Sequence, residues 1–194
     1  MLFNGLLTNG VIALNASGLR NTKDGVLGEI GCYLSHKNCW ETIIANKLNN
    51  TLILEDGIIF NKLNFSSNIS INQNYFNYDI IFCNKEMNVV QSMLTGYGLQ
   101  GYIVSYNGAN KLVKYCNQMH LPIDLQIRNI CNEKKIFWHK LNNFFIERNN
   151  DHDSSISEHE FDENNLNEKQ NMDPIIIRLL KNMVNANINL FEYL

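Results

Sequence analysis

Several features that would assign a class of function are missing from this sequence of 194 residues. It contains no apolar run of about 18 residues, the minimum for a membrane-spanning helix, so we expect no membrane span. The formal net charge of −3 gives no basic surface of the kind that binds nucleic acid, so no nucleic-acid partner is expected. The first residues lack a basic leader and are interrupted by Asn and Gly, so we expect no signal peptide.

Paired cysteines are also missing. The five cysteines are an odd number and form no CxxC pair, which argues against a disulfide framework or a zinc knuckle. We expect free, mostly buried thiols in a reducing compartment, and therefore a cytoplasmic protein. What is abundant instead is asparagine, alongside isoleucine and lysine. This composition is typical of AT-rich genomes, such as those of some large DNA viruses or protists, and for a viral protein the compartment would be the host cytoplasm.

Strand patterns alternate with helix patterns along the middle of the chain. Residues 1–27 are predicted to be mostly loop. Apolar residues at helical spacing predict helices at 28–48, 107–119 and 122–131, and short apolar runs predict strands at 51–56, 58–60, 76–84, 101–105 and within 135–147. This alternation indicates an α/β fold with a mixed, mainly parallel sheet flanked by helices.

The C-terminal part differs in composition from the domain expected over residues 1–156. Residues 157–172 are polar and acidic, and predict a linker. Residues 173–194 begin with Asp173, a good N-cap, and Pro174, a good first helical residue, and then carry an apolar stripe. We expect an amphipathic helix there, which packs either on its own domain or on a second copy in a homodimer.

An acidic pair, Glu55-Asp56, interrupts two apolar runs in "LILEDG" at residues 52–57. Acids at the carboxyl end of a buried strand lie at the rim of the sheet, where ligands bind in open α/β folds. Burial of such a pair is unfavourable unless a cation meets it. The alternative, without any ligand, is a solvated turn between two strands.

Four segments taken together resemble glycosyltransferase family 25, the group of lipopolysaccharide-type glycosyltransferases and procollagen galactosyltransferases. They are "GEIGCYLSHKNCWETII" (28–44), "LILEDG" (52–57), "GYIVSYNGANKLV" (101–113) and "PIDL" (122–125). The resemblance covers residues 28–156. It implies a GT-A-like fold that binds a nucleotide sugar, with hexose transfer (galactose or glucose) from a UDP-sugar donor to a glycan or protein acceptor. It also implies a divalent metal, Mn²⁺ or Mg²⁺, between carboxylates and the diphosphate.

The resemblance assigns candidate residues to three roles. The candidate catalytic residues are Asp56, Asp124 and His36. The candidates for binding the nucleotide sugar are Glu29, Ser35, Glu55, Gly98 and Gly101. The candidate metal ligands are Glu55, Asp56, Asp151, His152 and Asp153.

Each candidate also has a structural interpretation. His36 can be a helix-surface or satisfied core histidine, and Asp124 can cap the helix that it opens. Asp151–Asp153 can be part of a polar loop. Tyr33, Trp40 and Phe60 are expected in the core rather than as sugar platforms. A zinc site of Cys32, His36 and Cys39 is disfavoured because a fourth ligand at suitable spacing is missing.

Two departures from the family pattern predict reduced activity. The family's L-E-D-D is here Leu54-Glu55-Asp56-Gly57, so glycine replaces an expected metal ligand. The family's "INL-x-x-R-x-x-R" strand is not seen, as in an N-terminally truncated member. The alternative hypothesis is therefore a degenerate, non-catalytic relative that binds a sugar, a nucleotide or a protein partner.

Overall fold

The computed structural model describes residue 10 and residues 23–60, 77–84, 98–141, 146–148 and 189–192. The described helices are α1 (Lys23–Ala45), α2 (Tyr106–Tyr115) and α3 (Ile123–Asn132). The described strands are β1 (Thr51–Leu54), β2 (Ile58–Phe60), β3 (Ile80–Phe82), β4 (Gly101–Val104), β5 (Trp138–Lys140), β6 (Ile146–Arg148) and β7 (Asn189–Glu192). Within these residues, no helix combines the length and the apolar character needed to cross a membrane.

Five strands form one mixed sheet in the order β5-β3-β4-β1-β7. The pairs β3–β5 and β1–β7 are parallel, whereas β3–β4 and β1–β4 are antiparallel. Strands β2 and β6 form a separate antiparallel pair. The predicted α/β fold with a mixed sheet is therefore confirmed, with parallel and antiparallel pairings equally represented in the five-stranded sheet.

The core lies between this sheet and the helices. All four residues of β1 are buried, because the strand is paired on both edges and covered by side chains. Helix α1 contributes the fully buried Tyr33, Trp40 and Ile43, at the spacing that places them on one side of a helix. Tyr33 and Trp40 are core residues, as predicted. The side chain of Phe60 lies outside the described part of the structure.

Helix α2 starts against the residue before β3. The Ser105 side chain accepts a hydrogen bond from the Gly108 backbone N–H and caps the helix. The Ser105 backbone N–H in turn donates to the Asp79 carbonyl oxygen at 3.0 Å. A Cβ atom on Gly108 would overlap that same carbonyl group, so a glycine is needed for the close approach.

The structure corrects several predicted boundaries. Helix α1 begins at Lys23, so the predicted loop over 1–27 extends too far, and α2 ends at Tyr115 rather than at residue 119. Residues 189–192, predicted as the end of the C-terminal helix, form β7 beside β1. Strand addition satisfies the backbone groups that the second edge of β1 would otherwise leave unpaired. The predicted linker and residues 173–188 lie outside the described residues, and a homodimer through this segment stays a prediction.

Candidate functional site

The acidic pair lies where β1 leaves the core. Leu54 is 9% exposed, Glu55 is half-buried, and Asp56 and Gly57 are exposed. The Glu55 backbone N–H donates to the Gln100 carbonyl oxygen at 3.0 Å, so the turn remains joined to the residue before β4. Gly57 has φ +61°, a left-handed conformation that favours glycine. The two acids therefore follow the end of a buried strand, as predicted.

His36 connects this acidic end to the core. The ring is buried, at 4% exposure, and its Nε2 lies 3.0 Å from Glu55 Oε1. Its Nδ1 lies 2.9 Å from the Tyr102 hydroxyl, which also accepts a hydrogen bond from Trp40 Nε1 at 2.9 Å. Trp40, Tyr102, His36 and Glu55 thus form one hydrogen-bonded chain, which we call the Glu55 relay.

The direction of the hydrogen bonds follows from the chemistry of these groups. An indole N–H only donates, so the Tyr102 oxygen accepts from Trp40 and its own O–H can donate to His36 Nδ1. In that arrangement Nδ1 accepts, and the ring proton on Nε2 is donated to the Glu55 carboxylate. The relay holds Glu55 in one orientation. Tyr102 was not among the sequence candidates, because its role depends on a helix and a strand 66 residues apart.

Four carboxylates lie within electrostatic reach of the Cys32 thiol, which lies one helical turn before His36. Burial, together with the charges of Glu55, Asp124, Asp56 and Glu29, raises the pKa of Cys32 to about 12. We call these four residues the acidic cluster. They come from α1, the end of β1 and the start of α3, so the topology gathers negative charge at the carboxyl end of β1.

Asp124 is the member of the acidic cluster contributed by α3. Its Oδ1 accepts a hydrogen bond from the Leu125 backbone N–H at 2.9 Å, in the first turn of the helix. Burial raises the pKa of Asp124 above its usual range, and the charge of Glu55 raises it too. Backbone hydrogen bonds and Arg128 act in the opposite direction. The side chain therefore contacts the helix start and also lies within electrostatic reach of Glu55.

Ser35, Gly98 and Gly101 are also among the residues predicted to bind the nucleotide sugar. Ser35 is half-buried on α1, beside His36 in the chain. Gly98 has φ +132°, and its carbonyl oxygen accepts a hydrogen bond from the Asn84 side chain at 3.1 Å. Gly101 is buried in β4, and an added Cβ would overlap the Ile146 side chain. The missing side chain at Gly101 therefore leaves space for Ile146. The structure supports this packing role more directly than a contact with a ligand.

The remaining metal candidates divide into two groups. Asp151, His152 and Asp153 lie outside the described residues. Cys39 is 1% exposed in the core, whereas Cys32, His36 and Glu55 place their donor atoms within 4.8 Å of one another. All five cysteines are free and four of them are buried, as predicted.

The carboxylate oxygens of the acidic cluster suit a hard divalent cation. Carboxylate oxygens are the ligands that Mn²⁺ and Mg²⁺ prefer, and Glu55 and Asp56 supply them from adjacent positions. The negative potential around Cys32 provides the electrostatic attraction for such an ion. On these grounds the residues fit a divalent metal.

Comparisons with known proteins agree with the motifs. The model of the family "Glycosyltransferase family 25 (LPS biosynthesis protein)" matches residues 20–81. The chain is 30% identical over 105 residues to human procollagen galactosyltransferase 2, covering 44% of this chain and 16% of that protein. It is 34% identical over 102 residues to a glycosyltransferase 25 family member of Drosophila melanogaster, covering 45% of this chain and 17% of that protein.

A further match is to a protein named as inactive. The chain is 26% identical over 111 residues to human "Inactive glycosyltransferase 25 family member 3", covering 47% of this chain and 18% of that protein. The chain thus spans less than a fifth of the length of these curated relatives. The matched family segment contains α1, β1 and the turn with Glu55 and Asp56, so the resemblance predicted from the motifs is confirmed.

Proposed function

We propose that this chain is a member of glycosyltransferase family 25 and that it transfers a hexose from a UDP-sugar to a glycan or protein acceptor with the help of a divalent metal ion. The observation that supports this most strongly is the acidic cluster at the end of β1, with Glu55 oriented by the relay. Galactose and glucose are the proposed sugars, and the names of the procollagen galactosyltransferase relatives favour galactose.

Glu55 and Asp56 are the proposed ligands of Mn²⁺ or Mg²⁺. When bound, the ion would supply positive charge to the diphosphate that leaves the sugar. Asp56 is exposed at the turn, where a nucleotide diphosphate has access, and Glu55 is half-buried behind it. Any contribution of Asp151, His152 and Asp153 to the same ion remains part of this proposal.

His36 and Asp124 have different proposed roles. Both ring nitrogens of His36 are hydrogen-bonded inside the protein, so it positions Glu55 rather than contacting the sugar. Asp124 has a raised pKa and belongs to the acidic cluster, so it is the better candidate to accept or hold a proton during transfer. Glu29, Ser35 and Gly98 remain proposed contributors to the nucleotide-sugar pocket.

Calorimetric titration with UDP and UDP-hexoses, with and without Mn²⁺, tests the proposal. We expect metal-dependent binding that weakens in Glu55→Gln and in Asp56→Asn. Glutamine keeps an oxygen that can accept the His36 hydrogen bond, so Glu55→Gln removes charge with little change of shape. Glu41→Gln is the matched control, because Glu41 is exposed on α1 and lies outside the acidic cluster. Absence of binding at about 1 mM of every uridine nucleotide would overturn the transferase proposal.

A non-catalytic sugar- or nucleotide-binding module is the second candidate. Gly57 in place of a carboxylate and the similarity to a relative named inactive both favour it. The two candidates differ in turnover rather than in binding. Release of UDP from UDP-galactose or UDP-glucose, measured with the metal and a panel of glycan and protein acceptors, separates them. Ligand-induced thermal stabilisation without UDP release would support the binding module.

A further inference from the structure

Three side chains with different donor atoms converge beside the acidic cluster. Cys32 and His36 are four residues apart on α1, a spacing that places both on one face of the helix. Glu55 approaches them from the end of β1. The Cys32 Sγ, a ring nitrogen of His36 and a carboxylate oxygen of Glu55 lie within 4.8 Å of one another, and the pair His36 Nε2–Glu55 Oε1 is 3.0 Å apart.

We propose that Cys32, His36 and Glu55 form a binding site for a thiolate-preferring divalent ion, with Zn²⁺ as the natural example. Sulfur, imidazole nitrogen and carboxylate oxygen are the three ligand types that Zn²⁺ takes in proteins. In a tetrahedral site with ordinary bond lengths the donor atoms are about 3.3–3.6 Å apart. The present spacing therefore needs only a small movement of side chains that are already held on a helix and at the end of a strand.

The site would have three protein ligands and one open position. In zinc proteins this arrangement leaves room for a water molecule or a ligand oxygen, whereas structural zinc sites use four protein ligands. Asp56, which follows Glu55 in the chain, is exposed. The site therefore differs in donor type from the carboxylate site proposed for Mn²⁺ or Mg²⁺, although both use Glu55.

Binding requires two changes of protonation. The Cys32 thiol loses its proton to solvent, because the thiolate is the ligand. His36 must bind through Nε2 and carry its proton on Nδ1, which lies 2.9 Å from the Tyr102 hydroxyl oxygen. That oxygen can accept a hydrogen bond as well as donate one, so Tyr102 can support the imidazole of the metal-bound form.

Because Glu55 belongs to both proposed metal sites, binding of Zn²⁺ would affect the proposed reaction of the UDP-sugar. A Zn²⁺ ion held by Cys32, His36 and Glu55 would withdraw Glu55 from the metal–diphosphate. Zn²⁺ is then expected to inhibit Mn²⁺-dependent UDP binding. This consequence rests on the proposed function, but the binding of Zn²⁺ itself does not, so the two are tested separately.

Titration of the full chain with Co²⁺ in the absence of nucleotide tests the site directly. Cobalt bound to a thiolate gives a sulfur-to-metal charge-transfer band in the near ultraviolet, and added Zn²⁺ should remove it. We expect this band in the wild type and in Cys39→Ser, the matched control on the same helix, and no band in Cys32→Ser. A wild type without the band, or a Cys32→Ser variant that keeps it, would overturn the proposal.

Affinity and chemical protection provide further measurements. Loss of a second-shell partner alone weakens metal binding by about 10- to 100-fold, so loss of the Cys32 ligand should weaken Zn²⁺ binding by at least about 100-fold. His36→Gln should weaken it as well. If Cys32→Ser fails to fold, alkylation of the wild type mapped by mass spectrometry decides the question. Zn²⁺ should protect Cys32, and unchanged labelling of Cys32 would contradict the site.

Discussion

Removing the Tyr102 hydroxyl should destabilise the protein through the two partners that it leaves behind. Tyr102 is fully buried, and its oxygen lies 2.9 Å from both Trp40 Nε1 and His36 Nδ1. Each buried polar group left without a partner costs about 1–3 kcal/mol, so the limits for Tyr102→Phe are about 2 and 6 kcal/mol. Moving the imidazole proton to Nδ1 would break the hydrogen bond to Glu55, so it does not reduce this cost, and we expect a loss of at least about 2 kcal/mol in the free energy of unfolding.

Tyr33→Phe is the matched control for this substitution. Tyr33 is also fully buried, but its hydroxyl makes one described hydrogen bond, donated to the Cys116 carbonyl oxygen at 2.7 Å. Its loss removes the partner of a single buried group, so on the same scale it should cost about 1–3 kcal/mol, half of the range for Tyr102→Phe. Urea denaturation followed by circular dichroism gives both values, provided that the m-values agree. If Tyr102→Phe costs no more than Tyr33→Phe, the hydroxyl does not hold the Glu55 relay together.

Three further predictions concern single positions. Asp124→Asn should be more stable than the wild type at neutral pH and equally stable well below pH 3.8. The reason is that the pKa of Asp124 is raised in the folded state, so the wild type loses stability as this carboxyl ionises. Thermal melts at a series of pH values measure the difference. Gly108→Ala should lose several kcal/mol through its clash with the Asp79 carbonyl group, whereas Gly31→Ala, which meets open space in α1, should gain about 0.5–1 kcal/mol in the same denaturation assay. In calorimetry with UDP, Gly57→Asp should bind Mn²⁺ about tenfold more tightly than Gly57→Asn. Both variants share the strain of a positive φ at position 57 and differ only in charge. Equal affinities would mean that position 57 does not face the metal.

Elements with a strong local pattern could be predicted from the sequence. The apolar spacing from Ile30 to Ile44 indicates α1, and the run Leu52–Leu54 followed by two acids indicates a buried strand that ends at a turn. Both signals arise from neighbouring residues. For the same reason the position of Glu55 at the end of a strand could be inferred without coordinates.

Long-range pairings could not be predicted in the same way. The residues of β7 carry an apolar pattern that also fits a helix, and only the free edge of β1, more than 130 residues earlier in the chain, makes the strand favourable. Likewise, "GYIVS" predicts a strand but not that Tyr102 meets His36 and Trp40. The orientation of Glu55 therefore depends on packing between α1 and β4, which the local sequence does not encode.

The residues around the acidic pair differ in whether the fold itself requires them. Leu52 and Ile53 are needed by the core, since both are almost completely buried. Glu55 is not needed there: it is half-buried at the rim, and the nearby polar group that offsets its burial is His36, itself held by two buried aromatic residues. A fold that required only a turn could end β1 with uncharged polar residues and leave an apolar residue at position 36. The buried polar chain that instead orients this one carboxylate is the structural reason for our proposal that the carboxyl end of β1 binds a cation and a diphosphate.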